Sequence, residues 1–222
     1  MQLVRPGTEK EGEEKCHASI NAVAQHGVVF LDGGVGGGVD GGVDGGVDGG
    51  VDGGAACNTL VVAGGGGEGK NGIPNRMTAL IINPDKPKKP IKKFRESQLA
   101  EDEDCAMSMD ANNNVILLGV NQNSSMIKKG TNAHLRKYKY VNQHLKHVAS
   151  AQISPNKDSS IYQKLTYVSP DGSYGVIAMS DDPSSLYVVD TNDLSEKFKI
   201  VTGGDVKDIY QFSVKMISKN FH

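Results

Sequence analysis

Long apolar runs are missing from this 222-residue chain. No segment reaches the roughly 18 apolar residues of a membrane span, and residues 1 to 20 lack the apolar stretch of a secretory leader. Cysteine is scarce: Cys16, Cys57 and Cys105 are an odd number at wide spacing, none separated from a second Cys or a His by the roughly two to four residues usual between metal ligands. That excludes a disulfide scaffold and a zinc module, and reads as free thiols in a reducing compartment. Clustered positive charge is lacking overall. Residues 1 to 54 carry nine acidic and three basic groups, leaving 17 acidic and 21 basic for the remainder. Phosphate binding needs Lys and Arg gathered on one face, so no nucleic-acid partner is expected. There is no long apolar stripe of helical period, and no pairing of nucleophile and base, so covalent chemistry is not expected either.

Glycine, by contrast, is abundant and uneven. Of 28 glycines, 13 lie between Gly33 and Gly54, where "VDGGVDGGVDGGVDGG" repeats every four residues from Val39. Calcium-binding β-rolls repeat about every nine residues so that carboxylates of successive turns converge. A period of four offers no such layer, and residues 1–54 read as disordered low-complexity sequence.

From residue 55 the pattern becomes short apolar or alternating runs broken by turn residues, the mark of β structure. Strands are expected at 59–63, 76–83, 105–111, 115–121, 135–141, 147–153, 164–169, 173–180, 185–191, 197–202 and 206–213. The stretch from Lys164 to Val201 reads as four antiparallel strands joined at Pro170-Asp171-Gly172, Asp181-Asp182-Pro183 and Asn192-Asp193, residues suited to turns. The strongest apolar strand recurs as "LVVAGGGG", "VILLGVNQ" and "YGVIAMSDD". Its spacing of roughly 55 to 60 residues exceeds the usual 40 to 45 of a propeller repeat, and polar insertions at 84–104 and 121–134 account for the excess. The expected fold is all-β: an incomplete WD40-like β-propeller of about three blades plus the start of a fourth over 55–213, with a diverged tail at 214–222.

One loop stands out. Gly64 to Lys70 fits G-x-x-x-x-G-K and follows a strand. A phosphate loop also needs Ser or Thr after the Lys, to reach magnesium, and a helix starting there. Asn71-Gly72-Ile73-Pro74 supplies neither, because Gly and Pro oppose a helix. Glycines allow backbone carbonyls to turn inward around a monovalent cation, and they equally allow a long flexible hairpin loop.

"TLVVAGGGGEGKNGIPN", then "HLRKYKY", then "DLSEKFKIVTGGDVKDI" closely resemble, in order from Thr59 to Ser213, the fungal Sec-twelve family, whose animal relatives are the prolactin regulatory element-binding proteins. The resemblance implies a guanine-nucleotide exchange factor for the Sar-type small GTPase that initiates COPII coat assembly in ER-to-Golgi transport. It implies a seven-bladed propeller on the cytosolic side of the endoplasmic reticulum, held by one C-terminal membrane anchor. It also implies that the glycine loop binds K⁺ through backbone carbonyls within Gly64, Gly65, Gly66, Gly67, Gly69, Asn71 and Gly72. Glu68, Ile73 and Asn75 become the side chains expected to engage the GTPase, with other COPII components as further partners. Lys70 stands where an uncharged residue is expected.

Both ends depart from the family pattern. An apolar strand is expected where the Gly-Asp tract lies, so the first blade should lack its innermost or outermost partner, and the later blades and anchor should be missing. An open arc exposes two apolar faces, which predicts poor stability and a partial gene product or degraded copy. Elsewhere, "KPKKPIKKFR" (86–95) reads as a Pro-broken surface loop rather than a nuclear signal, and "EDED" (101–104) as a solvated loop. His134, His144 and His147 read as solvent-facing rather than as a metal site, and Asn123-Ser124-Ser125 as a sequon that a cytosolic domain never presents for glycosylation. Two functions follow: the exchange factor, resting on the intact loop, or a non-catalytic propeller scaffold that binds GTPase or coat components without promoting exchange.

Overall fold

A computed structural model describes residues 28–31, 58–69, 72–83, 86, 88–100, 102–141 and 144–210. Twelve strands form three four-stranded sheets. The first holds β1 (Val28–Leu31), β2 (Asn58–Gly64), β3 (Arg76–Ile82) and β4 (Ile91–Gln98), neighbours in that order. The second holds β5 (Ala106–Asn112), β6 (Val115–Val120), β7 (Leu135–Val141) and β8 (His144–Ala151). The third holds β9 (Gln163–Val168), β10 (Tyr174–Met179), β11 (Ser185–Asp190) and β12 (Glu196–Val201). Every pairing is antiparallel. The first strands touch in succession, β1 against β5 and β5 against β9. Three meanders side by side along their first strands are consecutive blades of a β-propeller.

The sequence of β6, Val-Ile-Leu-Leu-Gly-Val, is buried throughout. Because alternate side chains of a strand point to opposite faces, its residues divide between two cores. Ile116, Leu118 and Val120 pack with Val61, Met77, Ala79 and Met109 at the first blade junction. Val115 and Leu117 pack with Leu135, Val168, Ile177 and Val189 at the second. Close approach of the blades requires Gly175 on β10. A Cβ there would fall 2.4 Å from Leu117 Cδ1 and 2.9 Å from Val189 Cγ2.

A polar chain also joins the second and third blades. His134 is fully buried; its Nδ1 lies 3.0 Å from Gln163 Oε1, and Nε2 accepts from the backbone N–H of Ile153 and Ser154, both at 3.2 Å. Accepting at Nε2 places the proton on Nδ1, which donates to Gln163. The Gln163 amide continues to Thr166 Oγ1 at 2.6 Å, which lies 2.7 Å from Ser108 Oγ. The expectation of a solvent-facing His134 is thereby corrected, while His144 and His147 are exposed.

Two strands were not anticipated. β1 pairs Val28–Leu31 with Thr59–Val62, so the first blade has its innermost strand and the folded part begins ahead of the Gly-Asp repeat. The reading of residues 1–54 as disordered is thus corrected at 28–31; 1–27 and 32–54, with 55–57 ahead of β2, lie outside the described residues. β4 replaces the second half of the supposed 86–95 loop; an outer edge strand is solvated on both faces, so Lys92, Lys93 and Arg95 carry no apolar alternation to mark it. The insertion at 121–134 contains a short helix, α1 (Ser124–Lys128). The strand expected at 206–213 is absent through Tyr210, and the remainder, with the 214–222 tail, lies outside the described residues.

Candidate functional site

In a meander, successive turns alternate between the two faces of the arc. The β2–β3 connection (64–75), the β4–β5 connection (99–105) and the β6–β7 connection containing α1 therefore share one face. The glycine loop rises from that face between Gly64, paired with Arg76, and Asn75. A 3₁₀ turn spans Gly67–Gly69. Gly67 (φ +71°) and Gly72 (φ +81°) adopt the left-handed conformation that glycine tolerates.

Asn75 braces the root of the loop. It is 1% exposed. Its Oδ1 accepts from Gly67 N–H at 2.9 Å, and its Nδ2 donates to Glu103 O at 2.8 Å, with longer contacts of 3.4 Å to Gly67 O and Ala100 O. Asn75 O accepts from Leu99 N–H at 2.9 Å, and across the loop Gly66 N–H donates to Ile73 O at 3.1 Å. Gly65 must be glycine for this to close: a Cβ there would lie 2.1 Å from Asn75 Oδ1.

Residues 102–104 of the acidic run belong to the same assembly. Glu103, whose backbone holds Asn75, pairs with Arg136 of β7 at 2.7 Å, both side chains largely buried. Asp104 Oδ1 accepts from Cys105 N–H at 2.8 Å and would meet a Cβ on Gly67 at 2.9 Å. The expectation of a solvated loop is corrected for Glu103, because burying two charges is tolerated only when they are paired. Cys105 is half-buried and unbonded to another cysteine; burial and the Asp104 carboxylate push its thiol upward from the ordinary range. Cys16 and Cys57 lie outside the described residues.

Glu68 turns sideways rather than outward. Its Oε2 accepts from Ser124 Oγ at 2.5 Å and Ser124 N–H at 3.0 Å, and these bonds hold its carboxyl below the usual range. Asn123 is the N-cap of α1, accepting from Met126 N–H at 3.0 Å while its Nδ2 donates to Asp102 at 2.9 Å. The sequon asparagine thus serves as a cap. Ile73, 61% exposed, is the large apolar side chain presented by the loop.

Of the three side chains expected to engage a partner, Ile73 is presented, Glu68 is clasped to the neighbouring blade, and Asn75 lies buried at the root. Lys70 and Asn71 are outside the described residues. Sequence reasoning missed Ser124, Glu103 and Arg136, since only tertiary packing brings them to the loop. An acidic run that a glycine-rich loop must pass close to was the one available signal.

No protein-family model matches the chain. It is 40% identical over 155 residues to the putative guanine nucleotide-exchange factor SED4 of Saccharomyces cerevisiae, covering 68% of this chain and 14% of that protein. Against the SED4 of Candida glabrata the identity is 40% over 152 residues, 68% of this chain and 15% of the relative. Against the guanine nucleotide-exchange factor SEC12 of Candida glabrata it is 36% over 152 residues, 68% of this chain and 33% of the relative. The chain thus spans between one seventh and one third of the length of these curated relatives. Among solved structures, Chaetomium thermophilum Sqt1 bound to the N-terminus of ribosomal protein L10 aligns with 65% of this chain and 46% of its own, at 9% identity and a TM-score of 0.36. A second structure of Sqt1 from that organism gives 13% identity and a TM-score of 0.32 over 60% of this chain and 41% of its own.

Proposed function

We propose, from the membership of this chain in the family of the SEC12 and SED4 exchange factors over the aligned segment, that it promotes nucleotide release from a Sar-type small GTPase at the start of COPII coat assembly. The observation that carries the reading is the build of the glycine loop, with a buried Asn75 fixing its root and Ile73 held out to solvent. A preorganised loop loses little entropy on docking. An exchange factor works by binding the nucleotide-free GTPase better than the loaded form, since only differential affinity shifts an equilibrium. That step involves no covalent chemistry.

Potassium suits the donor set. Among the described residues no three His, Cys, Asp or Glu side chains gather into a metal site. The loop is rich in backbone carbonyls, the type of ligand that replaces the hydration shell of K⁺. Carbonyls of Gly64, Gly65, Gly66, Gly67, Gly69 and Gly72, with Asn71, would hold it. The ion would supply positive charge at the centre of the loop and so fix its shape. Ile73 then makes the apolar contact with the GTPase, and Glu68 holds the flank of the loop against α1.

Among the described residues no helix is long and apolar enough to cross a membrane. Placement on the cytosolic side of the endoplasmic reticulum belongs to the same proposal. The test is nucleotide release from a Sar-type GTPase in K⁺, Na⁺ and Li⁺, with the wild-type chain and Ile73→Ala. Burial of an isoleucine stabilises by about 1.5 to 3 kcal/mol, so Ile73→Ala should slow release about 10- to 150-fold. Equal rates in all three cations end the potassium role, and GTPase binding without release leaves the scaffold reading.

A further inference from the structure

On the face opposite the glycine loop, turns of two blades flank a pocket of about 440 Å³, open to solvent on one side, at the junction of the second and third blades. Its walls include Asn113 from the β5–β6 turn, Asp171 from the β9–β10 turn and Thr191 from the β11–β12 turn, with Lys137 and Lys139 of β7 also lining it. The walls are fixed. Asn113 Nδ2 donates to Asp171 O across the junction at 2.7 Å, and Thr191 Oγ1 donates to Gly172 O at 2.5 Å.

The charge in this pocket is unbalanced. Lys137 is 4% exposed, and its ammonium donates to Thr191 O at 2.5 Å. An ammonium has three N–H donors, and among the described residues no carboxylate pairs with this one. Lys139, two residues along the same strand and therefore on the same side of it, is exposed and forms no ion pair among the described residues. The nearby carboxylates are committed elsewhere. Asp171 is bound by Ser169 Oγ at 2.5 Å and by Ser173 Oγ at 2.6 Å, which hold its carboxyl down at about 2. Asp190 pairs with Lys197 at 3.3 Å. Burial and the positive charge of Lys139 outweigh the opposing pull of the Asp190 carboxylate and hold the Lys137 ammonium below its ordinary range, a penalty that a bound anion would relieve.

We propose that this pocket is a carboxylate-binding site, with Lys137 and Lys139 as the charged contacts, filled by a small dicarboxylic acid or by an acidic side chain of a peptide. A carboxylate suits it better than a phosphate because Asp171 already places a negative charge in one wall: the carboxylate group that enters brings one charge, with any second carboxylate of the ligand left at the mouth, whereas phosphate brings up to two on a single centre. The site is independent of the glycine loop and of the exchange reading.

The test follows lysine side-chain NMR signals of the whole chain during titration with succinate, with a short Asp-Glu peptide and with inorganic phosphate, each at constant ionic strength with a chloride control. Saturable shifts of the Lys137 and Lys139 signals are expected with at least one carboxylate probe, and whichever saturates at lower concentration identifies the source. Lys139→Ala, at an exposed position that leaves the fold intact by thermal melting, should weaken binding at least tenfold, and Lys139→Arg should restore most of it. Shifts equal to those in chloride, affinity unchanged by Lys139→Ala, or tighter binding of phosphate than of either carboxylate would each overturn the assignment.

Discussion

Replacing Asn75 tests whether the glycine loop is held or merely tethered. Asn75→Ala removes the acceptor for Gly67 N–H and the donor to Glu103 O, bonds of 2.9 and 2.8 Å. Each buried polar group left unsatisfied costs about 1 to 3 kcal/mol. Because both groups are only partly enclosed and water can reach them on opening, the sum is about 2 to 4 kcal/mol. The loss falls on local opening of the loop rather than on the blades. It should appear as a roughly 30- to 1,000-fold faster hydrogen exchange at the Gly67 amide, at about 1.4 kcal/mol per tenfold. Asn75→Asp is the sharper variant. It keeps an acceptor for Gly67 N–H but turns an oxygen toward the carbonyls of Gly67, Ala100 and Glu103, so its exchange should be at least as fast as that of Asn75→Ala. Ile73→Ala, altering an exposed side chain, should leave Gly67 protection unchanged. Wild-type protection in Asn75→Asp would refute the bracing role.

Three further outcomes follow from the blade junctions. Gly175→Ala should destabilise the chain by about 1 to 3 kcal/mol in urea unfolding, since the added methyl collides with Leu117 and Val189; unchanged stability would show that the junction can yield. Burial raises the Asp110 carboxyl from 3.8 to about 6 while Val168 N–H bonds it at 2.7 Å. A raised folded value means stability present below the unfolded pKa and lost as pH rises toward 6, so Asp110→Asn should stabilise by up to about 3 kcal/mol at pH 7.5 and by nothing below pH 3.8. Burial lowers the His134 imidazole from its ordinary value of 6.5; here the unfolded state takes up the proton first, so its contribution holds above pH 6.5 and falls as pH drops below that. Nitrogen NMR should show His134 neutral and protonated on Nδ1 at pH 6, and an imidazolium signal there would contradict the hydrogen-bond assignment.

The central strands were legible because they are buried on one or both faces, and β6 and β10 announce themselves as continuous apolar runs. β4 was not, because an outer strand of Lys, Arg and Glu has nothing to bury. β1 was hidden by its shortness and by the glycine tract separating it from β2. At the loop, the glycines and Asn75 were visible as a motif, but the direction each side chain takes was not. Whether Glu68 faces solvent or Ser124 depends on how two blades sit together, and residues 56 apart in sequence carry no local signal of it.

The pairing of β1 with β2 spans 26 intervening residues, 32 to 57, that include the four-residue repeat. Closing a connection of n residues costs free energy only as about 1.5 RT ln n. Doubling the repeat from four copies to eight would lengthen the connection to 42 residues and add about 0.4 kcal/mol. The docking of the innermost strand therefore places only a weak constraint on how many copies of the repeat the sequence carries between β1 and β2.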